Sequence, residues 1–203
     1  MFTGIITDVG TVAATSALGD GARLAIRCGY DPSSIAVGAS IACSGVCLTA
    51  TTVEPADRGA LFTVDVSAET MDKTTVGGWG VGARINLERS LKAGDELGGH
   101  LVSGHVDGRA AIVERRDEDG MTVFRFAPPA ALVPLIAPKG SVALDGTSLT
   151  VVETGDTFTV AMIPHTLAVT TWAERRPGDA VNIEADTIAR YVARLLAARM
   201  PAA

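Results

Sequence analysis

The chain repeats itself, and the length of the repeat decides what it can fold into. Residues Phe62-Thr63-Val64 through Asn86-Leu87-Glu88 align without gaps on Phe158-Thr159-Val160 through Asn182-Ile183-Glu184, with nine of 27 columns identical. Unrelated sequences of ordinary composition agree in only about two such columns. A second block, Ser40-Ile41-Ala42-Cys43-Ser44-Gly45-Val46-Cys47-Leu48-Thr49, matches Ser141-Val142-Ala143-Leu144-Asp145-Gly146-Thr147-Ser148-Leu149-Thr150 at five of ten positions. The opening Phe2-Thr3-Gly4-Ile5-Ile6 answers, in the same order, to Val102-Ser103-Gly104-His105-Val106. A period of roughly 97 residues is too long for a solenoid and suits a duplicated domain. With the boundary around Lys92-Ala93-Gly94-Asp95-Glu96, the expected units are 1–97, 98–186 and a tail, 187–203.

Within each copy the segments are short and alternate. Phe62, Val64 and Val66 point one way while Thr63, Asp65 and Ser67 point the other, the period of a half-buried strand. Leu24–Arg27, Ile41–Val53, Arg84–Glu88 and Thr122–Phe126 read the same way. The 22 glycines and nine prolines are spread along the chain, as turns between many strands require. Without long intervening helices, this pattern favours an all-β fold of antiparallel barrels, one per copy, over βαβ units. The tail is the exception. Thr187 to Met200 carries Ile188, Val192, Leu195 and Leu196 at helical spacing, with Asp186 or Thr187 as N-cap and Pro201 as stop. Its apolar stripe has no counterpart in the first copy, so it covers either its own barrel or another subunit.

The charge balance narrows the function. A net charge of −6, no basic block and nine aromatic residues lack the footprint of a nucleic-acid binder, and a small molecule is the expected ligand. No apolar run reaches the ~18 residues a membrane span needs, and the N-terminus has no basic region ahead of its apolar residues, so a cytoplasmic protein is expected. Three cysteines, Cys28, Cys43 and Cys47, argue against a disulfide framework, and their spacing fits no common zinc template.

A small closed barrel is filled by its own side chains, so a ligand is expected at a rim. The matched columns group Gly4-Ile5-Ile6, Cys47-Leu48-Thr49 and Asp65, Val66, Ser67, Ala68, Glu69 and Thr70 in the first copy. They group Gly104-His105-Val106, Ser148-Leu149-Thr150 and Ala161, Met162, Ile163, Pro164, His165 and Thr166 in the second. Backbone groups of such triplets, with the Thr49 and Thr150 hydroxyls, can read the edge of a pteridine-like ring, but on spacing alone a plain turn into a buried strand is the favoured account of each triplet. The copies differ where chemistry would sit. Phe2 and Cys47 stand in the first, Val102, His105 and Ser148 in the second. Cys47 reads as a thiol beside a ligand or as a small core residue, and His105 as a proton carrier or a loop histidine. His100 reads as an ordinary loop residue.

Taken together, Met1-Phe2-Thr3-Gly4-Ile5, Gly45-Val46-Cys47-Leu48-Thr49, the run Gly98 to Asp107, Lys139-Gly140-Ser141, Asp145 to Thr150, Ile163-Pro164-His165-Thr166 and Val181-Asn182-Ile183-Glu184 resemble the motifs of the riboflavin synthase family, in order and over nearly the whole chain. One departure is Ser44, where the family usually shows Asn. The resemblance implies two tandem six-stranded antiparallel Greek-key barrels per chain, a cofactor-independent transferase and a homotrimer held by the C-terminal helices. It also implies a dismutation of two 6,7-dimethyl-8-ribityllumazine molecules, at a site between the first barrel of one subunit and the second of its neighbour. It assigns Phe2, Ser40, Cys47, Thr49 and His105 to the surface where the two lumazines meet, Ser148 and Asp186 to the second barrel's share, and Lys139 to a ligand contact across subunits. The alternative it leaves is a non-catalytic lumazine- or flavin-binding antenna protein.

Overall fold

A computed structural model describes residues 1–199; Met200 and the expected stop at Pro201 lie outside the described residues. The first copy forms β1 (Asp8–Leu18), β2 (Gly21–Cys28), β3 (Ser40–Cys43), β4 (Val46–Pro55), β5 (Ala60–Val66) and β6 (Arg84–Arg89), closed into an antiparallel barrel in the order β1-β2-β5-β4-β3-β6. The alternation read along β5 holds, with Phe62, Val64 and Val66 buried and Asp65 and Ser67 exposed. Ile41–Val53 is not one strand but a hairpin. Ser44 and Gly45 take φ of +42° and +82°, the two consecutive left-handed residues a tight hairpin needs, and β3 pairs back on β4 with Ser40 opposite Thr49. Helix α1 (Ala68–Lys73) follows β5, capped by the Ser67 side chain accepting from Thr70 N.

The second copy repeats this with β7 (Gly108–Glu118), β8 (Met121–Ala127), β9 (Ser141–Leu144), β10 (Thr147–Thr150), β11 (Phe158–Met162) and β12 (Ala180–Ala185), and with α2 (Pro164–Val169) in the place of α1. Its sheet order, β10-β9-β12-β7-β8-β11, is the same circuit opened between β10 and β11, where a Val151–Val160 bridge and backbone bonds from Val152 N to Thr159 O and from Thr159 N to Glu153 O join the edges. Its core is the more aromatic of the two, with Phe124, Phe126, Phe158 and Trp172 in contact at centroid distances of 5.3–6.1 Å.

The copies pack about a pseudo-twofold axis. Phe2 and Val102 bridge antiparallel and, with Ala42 and Ala143, form a small core of their own between the barrels. The hairpin turns meet back to back. A Cβ on Gly45 would stand 2.7 Å from Gly146 N, and one on Gly146 2.7 Å from Gly45 N, so only glycine permits this approach. Helix α3 (Thr187–Arg199) starts where Asp186 Oδ1 accepts from Ile188 N at 2.8 Å, which makes Asp186 the cap. Arg190 ties the helix to the second barrel through Asp107. Ile188, Tyr191, Val192, Leu195 and Leu196 remain 49–65% exposed, so the stripe does not cover its own barrel.

Candidate active site

Cys47 and Thr49 lie on the outer face of β4, because Leu48 and Ala50, one residue out of phase, point into the barrel. Beside Cys47 a cavity of about 290 Å³ is lined by Val46, Cys47, Glu69, Thr70, Lys73, Thr74, Gly104, His105 and Val106. The last three belong to the second copy. Cys47 N donates to Gly104 O at 2.9 Å, and Val106 packs on the first barrel's core. Gly104 has φ +80°, and a Cβ there would stand 2.6 Å from Cys47 Cβ. The converse holds across the axis. Ser148 N donates to Gly4 O at 2.7 Å, and a Cβ on Gly4 would stand 2.5 Å from Ser148 Cβ. The opening triplets are therefore exchanged relative to the grouping read from the sequence. His105 belongs with Cys47, and Gly4-Ile5-Ile6 with Ser148.

The related rim of the second copy, around Ser148, also has an imidazole, from a residue read as ordinary. His100 Nδ1 lies 2.7 Å from Ser148 Oγ, and His100 N donates to Thr3 O. Burial holds the His100 pKa below its usual value, opposed by the charges of Asp186 and Glu184. Its Nε2 is buried without a partner. A buried N–H without an acceptor costs more than a bare lone pair, so the proton sits on Nδ1 and is donated to Ser148 Oγ. The serine hydrogen is then free to point at a ligand acceptor. His100 lies just ahead of the aligned opening blocks, Phe2–Ile6 and Val102–Val106.

Several expected contacts lie elsewhere. Leu48, Val66, Leu149 and Met162 face the barrel cores, since strand alternation turns them inward. Phe2 is fully buried between the barrels, its ring 2.9 Å from where a Gly104 Cβ would stand, so it supports the pocket floor. Asp65 is exposed on β5 and paired with Arg23 at 2.6 Å. Ser67 caps α1, and Ala68, Glu69 and Thr70 form its first turn beside the Cys47 cavity. Ala161 and Thr166 are half-buried, while Ile163, Pro164 and His165 are exposed around the start of α2. Ser40, half-buried, pairs with Thr49, and Thr150 stands exposed opposite Ser141. Lys139 is exposed with φ +64°, where the first copy has Gly38. A larger cleft, about 470 Å³, runs past Thr3, Ile5, Tyr30, Glu88, Arg89 and Lys92 along the linker. Among the described residues no cluster of three or more metal-ligating side chains occurs, and no helix is long and apolar enough to cross a membrane.

The lumazine binding domain family matches twice, over residues 3–90 and 103–186. The riboflavin synthase of Brucella abortus (strain 2308) is 55% identical over 197 residues, covering 96% of this chain and 98% of that one. The chain belongs to the riboflavin synthase family. Another member of that family, from Bacillus subtilis (strain 168), is 39% identical over 97% of this chain and 90% of its own length. Among solved structures, LumP complexed with riboflavin superposes with a TM-score of 0.80 over 91% of this chain and 99% of that one. Its 23% identity makes that a likeness of fold alone.

Proposed function

We propose that this member of the riboflavin synthase family converts two molecules of 6,7-dimethyl-8-ribityllumazine into riboflavin and 5-amino-6-ribitylamino-uracil. Each chain offers a cavity beside Cys47 and, related to it by the pseudo-twofold axis, a rim beside Ser148, one for each copy of a substrate that reacts with itself. The observation that carries the reading is their inequality. The first pocket has Cys47 with His105, and the second has Ser148 with His100. A protein that only stored a ligand would gain nothing from different polar groups in matched places.

The lumazine's C7 methyl is acidic because its carbanion spreads into the pteridine ring, so neither a metal nor an electron-sink cofactor is required. The protein's contribution is to hold two rings together and to move protons. Cys47, His105, Ser40 and Thr49 serve the first ring, and Ser148, Thr150 and His165 the second. Asp186 acts on the second pocket through its charge on His100, and Lys139 reaches toward ligand from a neighbouring subunit. One ring gives a four-carbon unit to the other, which leaves as riboflavin while the donor leaves as the diaminopyrimidine. We further propose a homotrimer in which the exposed stripe of α3 is covered by its copies, and a cytoplasmic location.

Incubating the purified chain with the lumazine and no other reactant tests this. Flavin fluorescence should rise as lumazine fluorescence falls. Tight lumazine binding without flavin formation would move the chain to the antenna class.

A further inference from the structure

The sequence repeats one motif whose role lies outside the pockets themselves, the Asn-x-Glu of β6 (Asn86, Glu88) and β12 (Asn182, Glu184). In each strand the two side chains lie two residues apart and share one face, the face turned to the other barrel. Glu184 Oε1 accepts from Ser103 N at 2.7 Å and Ser103 Oγ at 2.6 Å, and Oε2 accepts from Gly104 N at 2.9 Å. Gly104 O then accepts from Cys47 N, in the first barrel's pocket. Asn182 works on the same pocket. Its Oδ1 accepts from Thr75 N at 2.8 Å, just after the α1 wall, and its Nδ2 donates to Ser44 O at 2.8 Å. Across the axis, Glu88 takes Thr3 N and Thr3 Oγ1 at 2.7 Å and Gly4 N at 2.9 Å, and Gly4 O accepts from Ser148 N. Asn86 takes Thr171 N, after α2, at 2.8 Å and donates to Asp145 O at 2.9 Å.

We infer that the repeated Asn-x-Glu is a crossed positioning device: Asn182 and Glu184 of the second barrel set the walls of the first barrel's pocket, and Asn86 and Glu88 of the first set the second's. Both carboxylates are buried and each spends three acceptor sites on one turn of chain, so each acts by placing backbone; Glu88 also borders the linker cleft, whose lining does not include Ser148. Their effect reaches it through the placement of Gly104-His105 and Gly4-Ile5. The inference rests on reading these surfaces as lumazine and flavin pockets.

Titrating riboflavin into the full chain, and following the backbone amide resonances of Cys47 and Thr70 against those of Ser148 and Thr166, reads the two pockets separately. Glu184→Ala should weaken riboflavin at the first pocket by about tenfold or more and leave the second within about twofold. Glu88→Ala should do the reverse. Glu184→Gln and Glu88→Gln keep the shape and one acceptor but turn an amide N–H₂ toward the glycine N–H, so each should show the same crossed pattern with a smaller loss. Loss at the pocket of the glutamate's own barrel, equal loss at both, or no loss would overturn the inference. Should the alanine variants fail to fold, the glutamine pair decides. Gly104→Ala and Gly4→Ala, which leave the carboxylates in place, test the crossing independently and should abolish binding at the first and second pocket respectively. A wild-type chain that binds no riboflavin at all would instead defeat the functional reading, and this inference with it.

Discussion

Cys47 and Ser148 occupy matched positions but work beside different imidazoles, so their replacement should have different signatures. Cys47→Ala should lower turnover by about 10- to 100-fold while lumazine affinity stays within about threefold, and His105→Ala should lower turnover with an altered pH profile. Steady-state rates across pH with a fluorescence titration check both; a wild-type rate and profile in either variant would return that residue to a packing role. His100 offers a stability test. Burial places its folded pKa below the unfolded value near 6.5, so over that interval the unfolded chain binds the extra proton and stability falls as pH drops. Its contribution is complete above about pH 6.5. Denaturant unfolding at several pH values should show a shallower acid-side decline in His100→Asn than in the wild type. An unchanged slope would mean His100 is not desolvated.

At the scale of elements, the strand alternation was legible because each barrel has one wet and one dry face, and it placed Phe62, Val64 and Val66 correctly. The Ser44-Gly45 turn was legible as a turn but not as the reversal that splits Ile41–Val53, since both flanks of the hairpin carry the same alternation and only the positive φ pair marks the reversal. The exchange of opening triplets was hidden for a different reason. Alignment shows which residues are equivalent but not which copy they touch, and a pseudo-twofold axis allows either. His100 lies outside the aligned blocks, so repeat matching does not flag it. The sign for Glu88 and Glu184 was present in the motif, yet a buried glutamate clamping backbone N–H groups leaves no trace in hydrophobic period. Helix α3 was readable in both type and stripe. Its five apolar side chains stand exposed in the single chain, and covering them would contribute on the order of 1.5–3 kcal/mol per fully buried side chain. On the proposed trimer, removing residues 187–203 should give a smaller particle by light scattering that still binds lumazine but turns over about a hundredfold or more slowly, because the two half-sites would no longer meet. A truncation that keeps full size and rate would rule out that role.

For the whole molecule, the proposed crossing means that neither barrel is functionally complete by itself. A chain of residues 1–97 has all six strands but lacks the Gly104-His105-Val106 wall and exposes Phe2 and Ala42. It should fold and pair with itself, the Phe2–Ile6 segment of each copy taking the place of Val102–Val106 on the other. Riboflavin affinity should then fall on dilution in step with the dimer; a monomer that binds as tightly as the full chain would contradict the crossing.

The central claim is that one chain processes two copies of one substrate in unequal pockets, and product stoichiometry tests it most directly. Purified chain, treated with chelator and supplied only with 6,7-dimethyl-8-ribityllumazine, should yield one riboflavin and one 5-amino-6-ribitylamino-uracil for every two lumazines consumed, measured chromatographically at several times. Lumazine loss without both products in equal amounts would contradict it.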